Sequence, residues 1–168
     1  MKRILLKLKP FQETIGAGAC GPASLKIVLG YYGVEKSEKE LAKLAKTDKK
    51  WGTSDKNLVK VARHFGFKTI VKDYCNFKDI EKWLKGGVPP IVDWMTRGRM
   101  DYSDVNVPDG HYSPICGLDD KYVYLQDPEL GKIRKLARGD FWQVWFDFPG
   151  GTITRRNIII RRIIVVYK

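Results

Sequence analysis

The spacing of hydrophobic positions changes near the middle of the chain. Residues 21 to 32, GPASLKIVLGYY, are apolar on nearly every helical face, with Lys26 as the single charge and Pro22 in the first turn. There the missing proline N–H costs nothing, and the pattern predicts a buried central helix. Ser37 and Glu40 have capping-box spacing ahead of Leu41, Leu44 and Ala45, which predicts a second, exposed helix. Leu58, Val61, Ala62 and Phe65 recur at helical spacing up to Gly66, and Phe77, Ile80 and Leu84 mark a short fourth helix ended by Gly86-Gly87. Beyond this point VPPIVDWM, HYSPICGL, KYVYLQD, GKIRKL and NIIIRRIIVVYK read as strands between Gly, Pro and Asp turns, as does the N-terminal MKRILLKLKPF. DFWQVW, residues 140 to 145, is one helical interruption that would cover the sheet. Helices followed by strands predict an α+β fold with a segregated antiparallel sheet.

A length of 168 residues suits one domain with its own hydrophobic core, and neither a repeat nor a linker divides it. Ile4, Leu5 and Leu6 are too short a run for a signal peptide, and no stretch reaches the about 18 apolar residues of a membrane span. The expected location is therefore cytoplasmic. Three cysteines without a CxxC pair argue against a disulfide framework and a zinc site, and only His64 and His111 add candidate ligands. No metal or cofactor is expected. The formal charge of +12 gathers in residues 36 to 50, with six lysines, and in Arg155/Arg156 and Arg161/Arg162. No nucleic-acid motif or basic-aromatic stripe accompanies it, so it reads as a solvated surface rather than a nucleic-acid site.

Candidate chemistry centres on GAGACGPA, residues 16 to 23. A helix starting just after Cys20 directs unpaired N–H groups at the sulfur, which is how proteins seat thiolate nucleophiles. Gly16, Gly18 and Gly21 would let another chain approach the sulfur closely. Taken alone, Cys20 reads more readily as a buried, inert cysteine in a glycine turn. His111 changes this, because it follows Pro108-Asp109-Gly110 and opens a strand that would hold an imidazole rigidly as a base. A turn near Asp119-Asp120 would return the next strand so that Asp127 stands level with His111 and orients it, although Asp127 also suits a turn before Pro128. His64, at a helix end, reads as structural, and Cys75 and Cys116 as fillers. Residues 96 to 110 form a polar loop of a length that is more often functional than accidental.

QETIGAGACGPASLKIVLGYYGV, HYSPICGLDDKYVYLQDPELGKI and DFWQVWFDF, in this order, resemble the bacteriocin-processing, double-glycine peptidases, cysteine-peptidase family thirty-nine of the papain-like superfamily. The resemblance runs from about Pro10 to Phe148, leaving 152–168 as C-terminal strands of the same single domain, 1–168. It implies a papain-like cysteine peptidase with Cys20 as nucleophile, His111 as general base and acid, Asp127 as orienting residue and Gln12 as oxyanion-hole donor. It further implies a peptide or protein substrate cleaved after small residues such as Gly-Gly, through an acyl-enzyme. The segment between Gln12 and Cys20 is longer than in such peptidases, and it is expected to bulge outward. The alternative is a catalytically silent peptidase-like domain that binds an extended peptide.

Overall fold

The computed structural model describes residues 2–16, 18–96, 109–150 and 152–168. The expected helices form in order. α1 (Cys20–Tyr31) carries Ser24, Leu25, Val28 and Leu29 into the core. α2 (Glu38–Leu44) and α3 (Asp55–His64) are capped by the Ser37 and Ser54 hydroxyls, which accept from the N–H groups of Glu40 and Asn57. α4 (Phe77–Lys85) starts with a reciprocal Asn76–Asp79 capping box.

Strands β1 (Ile4–Leu5), β2 (Lys68–Lys72), β3 (Ile91–Thr96), β4 (Asp109–Leu118), β5 (Tyr122–Asp127), β6 (Lys132–Ala137) and β9 (Ile163–Tyr167) form one antiparallel sheet. Its order is β2-β9-β3-β4-β5-β6, with β1 on the far end of β4. α5 (Arg138–Val144) precedes a separate two-stranded pair, β7 (Phe146–Asp147) with β8 (Ile159–Ile160).

Both faces of the sheet are covered by helices. Ile91, Tyr112, Ile164 and Val166 pack with α1, α2 and α3. The alternate residues Val92, Trp94, Ile163 and Val165 pack with Ile80 and Leu84 of α4 and Phe141 of α5. Period-two alternation along β3 and β9 therefore feeds two cores, and every residue of β3 is buried.

NIIIRRIIVVYK is not one strand. Arg161 takes a left-handed φ of 48° and breaks it into β8 and β9. The conformation is held from outside. The Arg161 N–H donates to the Trp145 carbonyl (3.0 Å), its Nε to the Cys75 carbonyl (2.9 Å), and its guanidinium lies 4.4 Å from the Trp142 ring centroid. The break lets β9 slot between β2 and β3, so the C-terminal residues supply an interior strand.

Candidate active site

The glycine-rich segment packs against its own chain. Gly18, at φ 81°, would place a Cβ 2.6 Å from the Asp48 carbonyl oxygen and 2.9 Å from the Gly52 Cα, and a Cβ on Gly21 would meet Thr53 at 3.0 Å. At Gly18 and Gly21 the missing side chains thus seat the start of α1 on residues 48–53, which corrects the expectation that they clear a path to the sulfur. The bulge is equally partial. Ile15 and Gly16 are exposed, but Ala19 is buried, and Ala17 lies outside the described residues.

Cys20 is half-exposed, whereas Cys75 and Cys116 are fully buried. Burial pushes the Cys75 thiol up to about 11 and the Cys116 thiol up to about 12, values at which neither supplies a nucleophile near neutral pH. Exposure thus agrees with the helix-start setting that set Cys20 apart in the sequence.

His111 enters from β4, where it stands opposite Trp94 of β3. The two ring centroids lie 5.7 Å apart in an edge-to-face arrangement, and the Trp94 Nε1 donates to the Ser113 hydroxyl (3.1 Å). A hairpin closed by the Asp119 N–H and the Tyr122 carbonyl (3.0 Å) returns the chain along β5. Its last residue, Asp127, places Oδ1 2.9 Å from the His111 Nε2. With Nε2 engaged by Asp127, Nδ1 is the ring nitrogen left for another partner, and Cys20 lies near enough to act on the imidazole's titration. Burial alone would lower the basicity of His111, but the bonds to Asp127 and Cys20 outweigh it and raise its pKa well above the ordinary imidazole value. The structure thus brings together three of the four expected residues.

Asp127 is fully buried and well provided with donors. Its Oδ1 accepts from the Glu129 N–H at 2.9 Å, and the Arg134 Nε approaches Oδ2 at 2.8 Å. Desolvation would raise its pKa, yet His111, Arg134 and the Glu129 N–H hold it below the usual carboxylate range. Arg134 was not anticipated. It comes from β6, lies 5.4 Å from the Trp94 ring centroid, and donates to the Thr96 hydroxyl at 2.9 Å. Ligand atoms of His111, Asp127 and Glu129 lie within 4.8 Å of one another. The guanidinium beside Asp127 already supplies the cation there, which opposes a metal ion.

Gln12 is exposed, and its amide donates to the Glu129 carbonyl at 3.2 Å. The structure thus directs the fourth expected residue at the turn after Asp127. The backbone explains why. Glu13 N–H donates to the Pro128 carbonyl (2.8 Å), and a Cβ on Gly131 would meet the Gln12 Cβ at 2.7 Å, so residues 12–13 lie along the 128–131 turn. Thr14 is then tied to Glu38 by its N–H and by its hydroxyl at 2.6 Å, which buries Glu38 in a helix expected to be exposed.

Glu13 itself faces the site. One of its oxygens is buried without a protein donor. Burial, with Glu129, Glu38 and Asp127 nearby and against the opposing pull of His111, raises its pKa to about 6. His64 is exposed against Phe65, away from this cluster. Of the loop 96 to 110, residues 97–108 lie outside the described residues.

A half-exposed cysteine at a helix start, a buried imidazole on a strand and a buried carboxylate behind it define a cysteine-peptidase-like arrangement on an α+β fold. The peptidase C39 family profile matches residues 12–148, and the chain belongs to that family. It is 33% identical over 128 residues to the transport/processing ATP-binding protein ComA of Streptococcus pneumoniae, covering 75% of this chain and 16% of that protein. It is also 32% identical over 119 residues to an uncharacterized protein of Methanothermobacter marburgensis, covering 69% of each. The chain therefore spans about a sixth of the length of the ComA proteins it matches.

Solved structures share the fold. The peptidase domain of Streptococcus ComA aligns with a TM-score of 0.69 at 21% identity, covering 95% of this chain and 98% of that one. A double-glycine-motif protease from an AMS/PCAT transporter, in complex with a leader peptide, aligns with a TM-score of 0.69 at 20% identity over 99% and 95%. A putative C39-like peptidase from Bacillus anthracis gives 0.71 at 17% identity over 100% and 98%. The fold is that of C39 peptidase domains, and family membership makes the chain a peptidase by class.

Proposed function

We propose that the protein is a thiol peptidase that cleaves peptide bonds through Cys20, His111 and Asp127. The observation that carries this reading is the buried imidazole bonded to Asp127 at 2.9 Å, with the half-exposed Cys20 at a helix start near enough to act on its titration. His111, its imidazolium stabilised by Asp127, takes the Cys20 proton. Sulfur attacks the scissile carbonyl carbon, and its electrons move onto oxygen. Collapse of the tetrahedral species breaks the C–N bond while His111 gives its proton to the leaving amine. Water, deprotonated by His111, then attacks the thioester carbon, and collapse returns the thiol and releases the acid.

The oxyanion is assigned to the backbone N–H of Cys20, a first-turn helix donor, together with the Gln12 amide. Gln12 must exchange its bond to the Glu129 carbonyl for one to substrate, so we assign it to the substrate-bound state. The substrate is a peptide with small residues, Gly-Gly or Gly-Ala, before the scissile bond, and we place the reaction in the cytoplasm. Three free cysteines suit a reducing compartment, and no helix among the described residues is long and apolar enough to cross a membrane.

The engaged amide of Gln12 is the one observation that favours the second reading, a silent domain that binds an extended peptide. Hydrolysis of a fluorogenic Gly-Gly peptide separates the two. Turnover in the native chain that vanishes in Cys20→Ala supports the peptidase. Binding of the peptide with no turnover supports the silent domain.

A further inference from the structure

A second buried carboxyl lies close to the site and has no role in the proposed reaction. Asp93, in the middle of β3, is 1% exposed, and both of its carboxyl oxygens lack a protein hydrogen-bond donor. Across the strand pair it stands opposite Tyr112, one residue from His111. A buried ionised carboxylate without donors would be strongly destabilising.

The groups facing Asp93 explain how it is tolerated. Asp147 of β7 is the carboxyl that acts on it most strongly, and two carboxyl groups can bond each other only if one donates a proton. Asp55 of α3, Tyr112 of β4 and Cys20 of α1 surround the pair. Asp55 accepts the Tyr112 hydroxyl and pairs with Arg162, whose Nε and Nη2 also grip Asp73 at 2.6 and 2.7 Å. That guanidinium is therefore already shared between two other carboxylates. Gly110 makes the approach of Asp147 possible, since a Cβ there would lie 2.4 Å from the Asp147 Oδ1.

We propose that Asp93 is held as a neutral acid whose O–H donates to Asp147, and that this pair is a positioning clamp fastening β7 onto β3, the neighbour of the strand that carries His111. Asp93 does not touch the reacting atoms. It acts through β3, which pairs with β4, the strand that carries the imidazole. Burial first, then the charges of Asp147 and Asp55, keep its proton on well above the ordinary carboxyl range. A raised acid contributes stability that is complete below its unfolded value, about 3.9, and is lost as pH rises through its folded value. Loss of the proton would leave two adjacent carboxylates and loosen β7.

The inference rests on the peptidase reading only for the role of His111; the clamp itself is tested without turnover. Thermal melts across pH compare the native chain with Asp93→Asn, whose amide keeps a donor that cannot titrate, and with Asp93→Ala, which has none. The native melting temperature should fall on the alkaline side by about 5 °C or more, that fall should be absent in Asp93→Asn, and Asp93→Ala should melt lower than Asp93→Asn at every pH. Parallel pH profiles for the native chain and Asp93→Asn, or equal melting of the Asn and Ala variants, would overturn the proposal. Should neither variant fold, infrared spectra of the native chain in deuterated buffer at pH 8 decide: a protonated-carboxyl band supports the clamp, and its absence overturns it.

Discussion

Asp127 and Asp93 are equally inaccessible, 0% and 1% exposed, and lie on neighbouring parts of one sheet, yet their environments drive them in opposite directions. Asp127 has an imidazole, a guanidinium and a backbone N–H aimed at it, and its pKa is lowered. Asp93 has only another carboxyl to bond, and its pKa is raised. Burial penalises both charges; the partners decide which one survives. One sheet thereby supports an ionised carboxylate bonded to an imidazole and, in the proposed clamp, a neutral one that serves as a donor.

The ionised side of the comparison predicts the largest effects. Cys20→Ala or His111→Ala should abolish hydrolysis of a Gly-Gly peptide, a loss of about ten-thousandfold or more measured by steady-state kinetics. Asp127→Asn should cost about a hundredfold or more in kcat, because the imidazole loses both its orientation and the charge that keeps it protonated. It should also cost about 3 kcal/mol in denaturant unfolding, since Arg134 loses the carboxylate it approaches at 2.8 Å.

On the neutral side, Gly110→Ala would drive a Cβ into Asp147 and should lower the melting temperature by several degrees without removing any donor or charge. Gln12→Ala should reduce peptide hydrolysis by about a hundredfold and leave the alkylation rate of Cys20 nearly unchanged, if the amide reaches the oxyanion. Glu13→Gln should have the smallest effect. With its pKa raised from 4.5 to about 6, Glu13 contributes stability that is whole below 4.5 and lost as pH rises through about 6. Melts of the variant should lack that step.

Much of this was legible in the sequence because local rules govern it. Helix spacing and Pro22 in the first turn place Cys20 at a helix start, serine caps start α2 and α3, and turn residues around Asp119 return Asp127 to His111. What escaped depends on contacts distant in the chain. Gly18 and Gly21 looked like clearance for a substrate until residues 48–53 filled the space. Arg134 was one cation among many on a basic chain, and only the β5–β6 register points it at Asp127. Asp93 did leave a signal, a lone charge inside the apolar run VPPIVDWM. Its meaning needed Asp147, which arrives from β7, 54 residues later in the chain's numbering. Arg161 could not be foreseen as a strand breaker, because its left-handed φ is imposed by Trp145 and Cys75.

The central claim is that His111 is held as an imidazolium between Cys20 and Asp127. The chain has two histidines, so NMR titration of isotope-labelled imidazoles assigns itself once His64 is substituted. The account predicts that in the native chain His111 stays protonated well above the ordinary imidazole value of 6.5, and that Asp127→Asn brings its titration down markedly. Titration of His111 near the ordinary value in the native chain, unmoved by Asp127→Asn, would contradict it.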